Sequence, residues 1–312
     1  MGLFEQRYFF SRDLTMINEE QAKQMSNAPG FVAALDQSGG STPKALGLYG
    51  IGEDQYSNDE DMFTLMHEMR SRIMRAPAFQ GDKVIGAILF ENTMDRSVDG
   101  IPAADYLWEK RGVVPFLKVD KGLADEENDA QILKPMPELD TLLIRAKKAN
   151  IFGTKMRSVI HGANRSGVEA VVAQQFDIAR QILAHGLIPI IEPEVNIDAE
   201  DKQAAEDLLL ESLNIHLDKL DDGAQVMLKL TLPEKNNHYR GLAEHPRVMR
   251  VVALSGGYSR EEANLRLAQN KNMIASFSRA LTEGLNANQS DAEFQRILGQ
   301  TIDAISTASA SG

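Results

Sequence analysis

One lysine lies inside the apolar segment 225–234, whose sequence is QVMLKLTLPE. A short hydrophobic run bounded by turn residues is typical of a strand buried on both faces, and Pro233 and Glu234 end this run. Burial removes the water that stabilises an ammonium group, and a neutral lysine amine is a nucleophile towards carbonyl carbons. Lys229 could therefore form a covalent adduct with a ketone. For this segment alone, a lysine that reaches solvent at the strand end and does no chemistry is the more common arrangement.

Eight segments of this kind alternate with helical patterns along the chain. The predicted strands comprise residues 31–36, 84–90, 113–122, 151–160, 187–195, 225–234, 245–257 and 272–279. The predicted helices comprise residues 18–25, 59–76, 103–111, 139–149, 166–185, 199–220, 259–270 and 291–304. Such alternation indicates a parallel sheet whose strands are joined by crossover helices. Eight strands closed on themselves give an α/β fold of the (β/α)8 or TIM-barrel type.

An open, doubly wound sheet is the competing architecture. It would be expected to carry a GxGxxG motif after the first strand, but the chain has the Ser/Gly loop QSGGST at 37–42. No internal repeat or linker divides residues 1–312, so a single domain is predicted. Residues 1–30 form an N-terminal extension with one helix, and residues 285–312 form a C-terminal helix with a frayed Ala/Ser/Gly tail.

Composition excludes several classes of function. The net charge of -12 argues against nucleic acid as a partner, which needs an electropositive surface. No run of about 18 apolar residues could span a membrane, and the N-terminus lacks the pattern of a signal peptide. The absence of cysteine excludes disulfides, thiolate catalysis and thiolate metal sites. We expect a cytoplasmic protein, and the sequence leaves open whether it forms a homo-oligomer.

Polar residues gather at the ends of the predicted strands. They are Asp36, Glu91, Lys118, Asp120, Lys155, Arg157, Glu192, Glu194, Lys229, Ser255 and Arg279. Any one of them could belong to an ion pair at the barrel rim. Packing gives no reason for so many charges at matching ends of separate strands, and ligands of this fold bind at the C-terminal ends of the strands. Together these residues predict an active site.

Two groups among these residues suggest phosphate binding. Ser255-Gly256-Gly257 follows the seventh strand and Ser278-Arg279 ends the eighth, where such barrels frequently bind phosphate. Ser38, Ser41 and Lys118 follow the first and third strands and form a second candidate anion pocket. Two separated pockets suggest a ligand phosphorylated at both ends. An acidic chain would need this local cationic cluster to attract such a ligand.

Seven motifs in this order resemble those of class I fructose-1,6-bisphosphate aldolase. They are the loop at 34–41, VPFLKVDKG at 114–122, FGTKMR at 152–157, PIIEPE at 189–194, LKL at 228–230, LSGG with SREEA at 254–263, and FSRAL at 277–281. The resemblance extends over about residues 31–285, and the short loops are similar to those of the bacterial branch of the family. It implies reversible cleavage of fructose 1,6-bisphosphate to dihydroxyacetone phosphate and glyceraldehyde 3-phosphate in glycolysis and gluconeogenesis.

The resemblance also implies a role for each site residue, with no cofactor and no metal ion. Lys229 would form a Schiff base with the C2 ketone, and Lys155 would be the nearby cation that helps keep the Lys229 amine neutral. Glu192 would be the acid and base, Asp36 would position or deprotonate substrate hydroxyls, and Glu194 would support them. The implied substrate-binding residues are Ser38, Ser41, Lys118, Arg157, Ser255, Gly256, Gly257, Ser278 and Arg279.

The chain departs from the family pattern at four places. Asp36-Gln37-Ser38 stands where Asp-Glu-Ser is usual, and Ser278 stands where a glycine is often found. Leu230-Thr231 replaces the Pro-Asn that usually follows the Schiff-base lysine. The tail SASG lacks the tyrosine that exchanges the enamine proton in vertebrate members. The substrate phosphate and Glu192 are two alternatives for that step.

Three other functions fit parts of the pattern. A different Schiff-base barrel could use Lys229 on a monophosphate or an unphosphorylated oxo acid, although two anion pockets argue against this. A metal-dependent aldolase would need clustered ligands, whereas the six histidines are scattered without an HxxxH or HxE pair. A barrel used only as a binding scaffold would leave Lys229 unreactive.

Overall fold

Eight parallel strands form the centre of the structure, a computed structural model that describes residues 17–311. The strands are β1 (Phe31–Leu35), β2 (Val84–Leu89), β3 (Val114–Lys118), β4 (Gly153–Ile160), β5 (Ile188–Val195), β6 (Val226–Thr231), β7 (Val248–Leu254) and β8 (Met273–Ala275). Each pairs in parallel with the next one along the chain. The Ala34 amide donates to the Phe277 carbonyl oxygen across 3.2 Å and brings β1 beside the end of β8. The sheet is a nearly closed barrel, and the predicted (β/α)8 fold is confirmed.

Helices surround the sheet. They are α1 (Glu19–Asn27), α2 (Ser41–Leu48), α3 (Asp59–Arg75), α4 (Glu91–Met94), α5 (Ala103–Asp105), α6 (Leu139–Lys148), α7 (Arg165–Ala184), α8 (Lys202–Leu217), α9 (Arg240–Ala243), α10 (Arg260–Leu267), α11 (Arg279–Thr282) and α12 (Asp291–Ser311). A 3-10 turn spans Glu53–Gln55 and a π-helical turn spans Tyr106–Lys110. Ser97–Val98 pairs antiparallel with Ile101–Pro102, and Ala130–Gln131 pairs antiparallel with β4. No helix within residues 17–311 is long and apolar enough to cross a membrane.

Side-chain caps explain where several helices begin. The Asn18 side chain accepts from the amides of Glu20 and Gln21, each at 3.1 Å, and so starts α1. The Ser259 hydroxyl accepts from the Glu262 amide at 3.3 Å and starts α10. The helix α1 extends to Asn27, two residues beyond its predicted end. Residues 1–16 of the predicted N-terminal extension lie outside the described part of the chain.

Three expectations about local structure are wrong. The loop predicted at 37–42 gives way to a helix at Ser41, because α2 packs against α3. The predicted strands at 113–122 and 272–279 are shorter, since the chain leaves the sheet after Lys118 and after Ala275. The predicted frayed tail is helical to Ser311, because Ala308 and Ser309 are buried. The Ser309 hydroxyl accepts from the amide of Ala275 in β8 at 3.0 Å.

The lower half of the barrel is apolar and closed. Apolar side chains from seven of the strands, and Phe152 just before β4, pack there with Met25 of α1, which is fully buried. The Gln24 side-chain amide donates to the carbonyl oxygens of Ile85 and Gly112, at 2.9 and 2.7 Å. The Arg250 guanidinium donates to the Met25 carbonyl oxygen at 2.9 Å. These contacts hold α1 as a plug at the N-terminal end of the barrel. The polar ends of the strands lie at the opposite end, which α1 does not cover.

Candidate active site

A cavity of about 500 Å³ opens at the C-terminal ends of the strands. It is lined by the predicted site residues Asp36, Ser38, Ser41, Lys118, Lys155, Arg157, Glu192, Glu194, Lys229, Ser255, Gly256, Ser278 and Arg279. Gly257 lies beside it, since a Cβ at that glycine would be 3.6 Å from the Arg279 guanidinium. Glu91, also at a strand end, does not line the cavity. It pairs instead with Lys121 and Arg145 at the rim.

Four charged side chains meet at the bottom of this cavity. Lys155 Nζ lies 2.7 Å from Asp36 Oδ2 and 2.8 Å from Glu192 Oε2. Lys229 Nζ lies 3.1 Å from Glu192 Oε1. None of the four residues is more than 8% exposed. The cluster therefore contains two lysines and two carboxylates that are almost completely shielded from water.

The two lysines have different surroundings. Burial by itself would raise the pKa of Asp36, but the Lys155 ammonium 2.7 Å away holds it well below its ordinary value. Burial would likewise lower the pKa of Lys155, but the charges of Asp36 and Glu192 raise it above its ordinary value. Lys155 is therefore held as a cation by two carboxylates. Among residues 17–311, Lys229 forms an ion pair with one carboxylate, that of Glu192, although its charge also lowers the pKa of Asp36.

Backbone and side-chain contacts set the position of the Glu192–Lys229 pair. The amide of Glu192 donates to the side-chain oxygen of Gln175 in α7 at 2.9 Å. The ladder between β5 and β6 ends at the pair formed by Ile191 and Leu228. Beyond it, the Thr231 hydroxyl donates to the Val195 carbonyl oxygen at 2.8 Å and accepts from the Val195 amide at 2.9 Å. This buried hydroxyl joins the ends of the strands that carry Glu192 and Lys229.

One candidate anion pocket lies at the ends of β7 and β8. Gly256 and Gly257 have φ angles of +61° and +129°, and a Cβ at Gly256 would meet the Ile197 side chain at 2.8 Å. The turn therefore requires glycine and leaves room beneath the Arg279 guanidinium. Arg279 forms no ion pair with any residue in 17–311, so its charge is available to an anion. Ser276, which sequence reasoning missed, also lines the cavity and has a buried hydroxyl with no partner in the described chain.

The second candidate anion pocket lies at the ends of β1 and β3. The Ser38 amide donates to the Ser41 hydroxyl at 3.0 Å, and this hydroxyl donates to the Ser38 carbonyl oxygen at 2.9 Å. Lys118 donates to Asp120 at 2.5 Å, so part of its charge is neutralised. Lys44 lines the cavity one turn after Ser41 and has no ion-pair partner among residues 17–311. Sequence reasoning missed Lys44, although the spacing Ser41-x-x-Lys44 on a helix would have indicated it.

The charge of Arg157 is less available to a ligand than the sequence predicts. Its guanidinium pairs with Glu194, and its backbone amide donates to Asp120 at 3.3 Å. Burial would lower the pKa of Arg157, but the Glu194 carboxylate raises it. Arg157 and Glu194 therefore form a partly neutralised wall of the cavity, in contrast to the unpaired Arg279.

A nearly closed barrel with a lysine and a carboxylate in contact at its open end fits more than one lyase or dehydratase, and comparison with known proteins decides between them. The family model described as fructose-bisphosphate aldolase class-I matches residues 19–244. The chain belongs to the class I fructose-bisphosphate aldolase family. A protein named fructose-bisphosphate aldolase class 1 from Synechocystis sp. is 59% identical over 292 residues, which cover 94% of this chain and 97% of that relative.

Solved structures agree with the fold. An aldolase from Plasmodium falciparum, determined in complex with TRAP and a small-molecule inhibitor, has a TM-score of 0.78 at 21% identity and covers 94% of this chain and 93% of its own. A protein from Corynebacterium glutamicum has a TM-score of 0.52 at 12% identity, with coverage of 93% and 92%. At these identities the likeness concerns the fold alone. The predicted family and the predicted lyase reaction are confirmed by the family match and the Synechocystis relative.

Proposed function

We propose that Lys229 is the residue through which this chain carries out the reaction of its family, the reversible cleavage of fructose 1,6-bisphosphate. The observation that supports Lys229 over its neighbour is the difference between the two buried lysines. Lys155 lies between two carboxylates that raise its pKa, so it stays an ammonium group and is a poor nucleophile. Within residues 17–311, Lys229 forms an ion pair with one carboxylate, that of Glu192, which would be the acid and base that an attacking amine needs beside it.

The proposed steps follow from these contacts. The Lys229 amine attacks the C2 carbonyl carbon, and the resulting carbinolamine loses water when Glu192 supplies a proton. The cationic Schiff base then withdraws electrons from the C3–C4 bond as the C4 hydroxyl loses its proton to Glu192 or Asp36. Glyceraldehyde 3-phosphate leaves, the remaining enamine gains a proton at C3, and water releases dihydroxyacetone phosphate from Lys229. The fixed charge of Lys155 holds Asp36 and Glu192 in place throughout.

The two anion pockets would bind the two phosphates. Arg279, Ser278 and the Ser255-Gly256 turn would hold one phosphate, and Ser38, Ser41, Lys44 and Lys118 would hold the other. The unpaired charges of Arg279 and Lys44 give an acidic protein a local positive field at the mouth of the cavity. The cavity volume is within the range of sites that enclose a small ligand. We also propose a cytoplasmic location, in line with a phosphorylated sugar substrate.

Trapping of the covalent intermediate tests the proposal. Borohydride reduction in the presence of dihydroxyacetone phosphate should leave an irreversible adduct, and peptide mass spectrometry should place it on Lys229. Lys229→Met should show neither adduct nor cleavage while keeping the circular dichroism spectrum of the parent. An adduct on another lysine, or none on the parent protein, would refute the assignment. Activity that survives EDTA would exclude the metal-dependent alternative, and residues 17–311 contain no cluster of three or more metal-ligating side chains.

A further inference from the structure

A buried arginine lies beneath the loop that carries Asp36. Arg70 in α3 is 1% exposed and forms no ion pair with any residue in 17–311. Its guanidinium donates to the Thr93 hydroxyl at 2.8 Å, to the Gln37 carbonyl oxygen at 2.5 Å and to the Gln37 side-chain oxygen at 3.4 Å. Burial lowers the pKa of Arg70 to about 10, so it remains a cation at neutral pH. The charge of the Asp36 carboxylate offsets part of this effect, but no ion pair among residues 17–311 compensates the buried guanidinium. A buried charge of this kind is costly, which suggests that its hydrogen bonds have a use.

The surroundings of Gln37 determine which way its side-chain amide faces. A guanidinium can only donate, so the Gln37 atom that faces Arg70 must be the oxygen. On the other side, the Gln37 nitrogen donates to the Ser278 hydroxyl oxygen at 2.7 Å and lies 3.5 Å from the Ala34 carbonyl oxygen, which can only accept. Both neighbours therefore fix the same orientation of the amide.

Ser278 receives this hydrogen bond and has a proton left to donate. Its hydroxyl oxygen is the acceptor of the Gln37 amide, and within residues 17–311 no group accepts the hydroxyl proton. Ser278 is half-buried and lines the cavity beside Arg279. A hydroxyl that accepts one hydrogen bond donates a stronger one elsewhere, because hydrogen bonds in a chain polarise one another.

We propose that Arg70 and Gln37 orient the Ser278 hydroxyl as a hydrogen-bond donor to the phosphate that Arg279 binds. The inference rests on the proposed function, since the anion is a phosphate of the aldolase substrate. It also explains two departures of the sequence from the family pattern, because Gln37 and Ser278 are in contact although 241 positions separate them. Arg70 and Gln37 are positioning residues, and Ser278 is the residue that contacts the substrate.

Replacement of Gln37 by glutamate should reverse the hydrogen bond. A carboxylate can only accept, so in Gln37→Glu the Ser278 hydroxyl would donate to residue 37. The O–H bond of Ser278 would then point away from the cavity and could not donate to phosphate. The shape of the side chain hardly changes. Ser278→Ala removes the donor directly. We call the chain of hydrogen bonds from Arg70 through Gln37 to Ser278 the relay. If the relay exists, each change removes the same hydrogen bond to phosphate, so the double variant should lose little more affinity than either single variant.

The test measures the concentration of dihydroxyacetone phosphate that gives half-maximal borohydride-trapped adduct on Lys229. Gln37→Glu and Ser278→Ala should each raise this concentration about tenfold, with unchanged labelling at saturation, as expected for one hydrogen bond to an anion. The double variant should also show an increase of about tenfold. Gln300→Glu, which adds the same charge at an exposed position of α12, is the matched control and should behave like the parent.

Two results would overturn the relay. The first is additive effects in the double variant, about a hundredfold, which would mean that Gln37→Glu acts through its charge alone. The second is a Ser278→Ala variant that binds like the parent. Failure of the parent protein to form an adduct on Lys229 would instead refute the proposed function. Calorimetric titration of the same proteins with inorganic phosphate would then still test the relay, because phosphate binding does not require the Schiff base.

Discussion

Replacement of Lys155 by methionine should destabilise the protein strongly and in a pH-dependent way. The ammonium group is 2.7 Å from Asp36 and 2.8 Å from Glu192, and the residue is 3% exposed. In Lys155→Met, Glu192 keeps its contact with Lys229 and Asp36 loses its close cation. Both ion pairs of Lys155 are thus broken, but only Asp36 is left without a close cation, which costs about 3–5 kcal/mol of the free energy of unfolding. That is a large share of the roughly 5–15 kcal/mol typical of a folded domain.

The pH dependence follows from Asp36. In the parent protein its pKa is lowered, so its contribution to stability is present above about pH 4 and is lost as the pH falls. In Lys155→Met burial dominates and raises the pKa of Asp36, so the carboxyl group takes up a proton as the pH falls and the penalty disappears. The difference in stability between the two proteins should therefore be largest near pH 7 and shrink towards about pH 4. The pKa of Lys155 itself is raised, so its contribution is lost only in strongly alkaline solution.

Urea unfolding measures this difference. The fluorescence of Trp108, the single tryptophan, reports from the apolar end of the barrel and is independent of the cavity. Lys202→Met is a matched control, since Lys202 is also a buried lysine with two carboxylate partners, Glu206 and Glu234, but does not line the cavity. It should lose comparable stability and still form the Schiff base, whereas Lys155→Met should form it far more slowly. A difference in stability below about 1 kcal/mol, or one that does not change with pH, would refute the reasoning.

Two further predictions concern the Glu192–Lys229 pair. Glu192→Gln should slow Schiff-base formation by about 10²–10⁴, measured by rapid-quench borohydride trapping, because the amide cannot transfer the proton; an unchanged rate would remove Glu192 from this step. Thr231→Val keeps the size of the side chain but deletes the hydroxyl that joins β5 and β6, so it should lower the rate about 10- to 100-fold. Thr154→Val on β4 is its control, because that hydroxyl has no partner among residues 17–311, and equal losses in the two variants would contradict the positioning role of Thr231.

The barrel and the position of its active site could be predicted from sequence because both depend on local pattern. A parallel strand buried on both faces is a nearly continuous apolar run, so β1, β2 and β6 are recognisable without coordinates. The C-terminal ends of parallel strands meet on one side of a barrel, which was sufficient to group Asp36, Glu192 and Lys229. The family resemblance added their chemical roles.

Pairing between side chains could not be predicted in this way. Lys118 and Arg157 were both interpreted as substrate ligands, yet each is partly neutralised by a carboxylate, Asp120 and Glu194. Arg157 and Glu194 lie on the neighbouring strands β4 and β5, so their pairing depends on side-chain direction across strands, which a sequence does not give. Asp120 is only two positions after Lys118, but the chain leaves β3 at Lys118, so the alternation of a strand does not predict this contact. The contact between Gln37 and Ser278 is of the same kind, because it joins loops from opposite ends of the chain across the barrel seam.

Local propensity also gave misleading signals at two places. Gly39, Gly40 and Pro43 suggest a loop, so α2 and its Lys44 were missed. The Ala/Ser-rich tail has no strong apolar face, so a frayed end was expected. In the structure small residues are what allows α12 to lie close to β8, where Ser309 binds the Ala275 amide. In both segments tertiary packing, and not local propensity, determines that the chain is helical.

The interior of the barrel has two regions with different functions: an apolar region closed by α1, and the cavity at the C-terminal ends of the strands. Below the level of Lys229 the interior is apolar and sealed by Met25, so substitutions there should alter stability and leave substrate choice unchanged. Above that level the lining comes from the C-terminal ends of the strands and from the segments that follow them, such as the Gly256–Gly257 turn. A protein engineer can therefore randomise the segments that follow the strands in search of new aldol acceptors, while the charged cluster at the strand ends is kept and the apolar region below keeps the scaffold folded. Because the apolar scaffold and the cavity are separate regions, this enzyme is a suitable starting point for directed evolution.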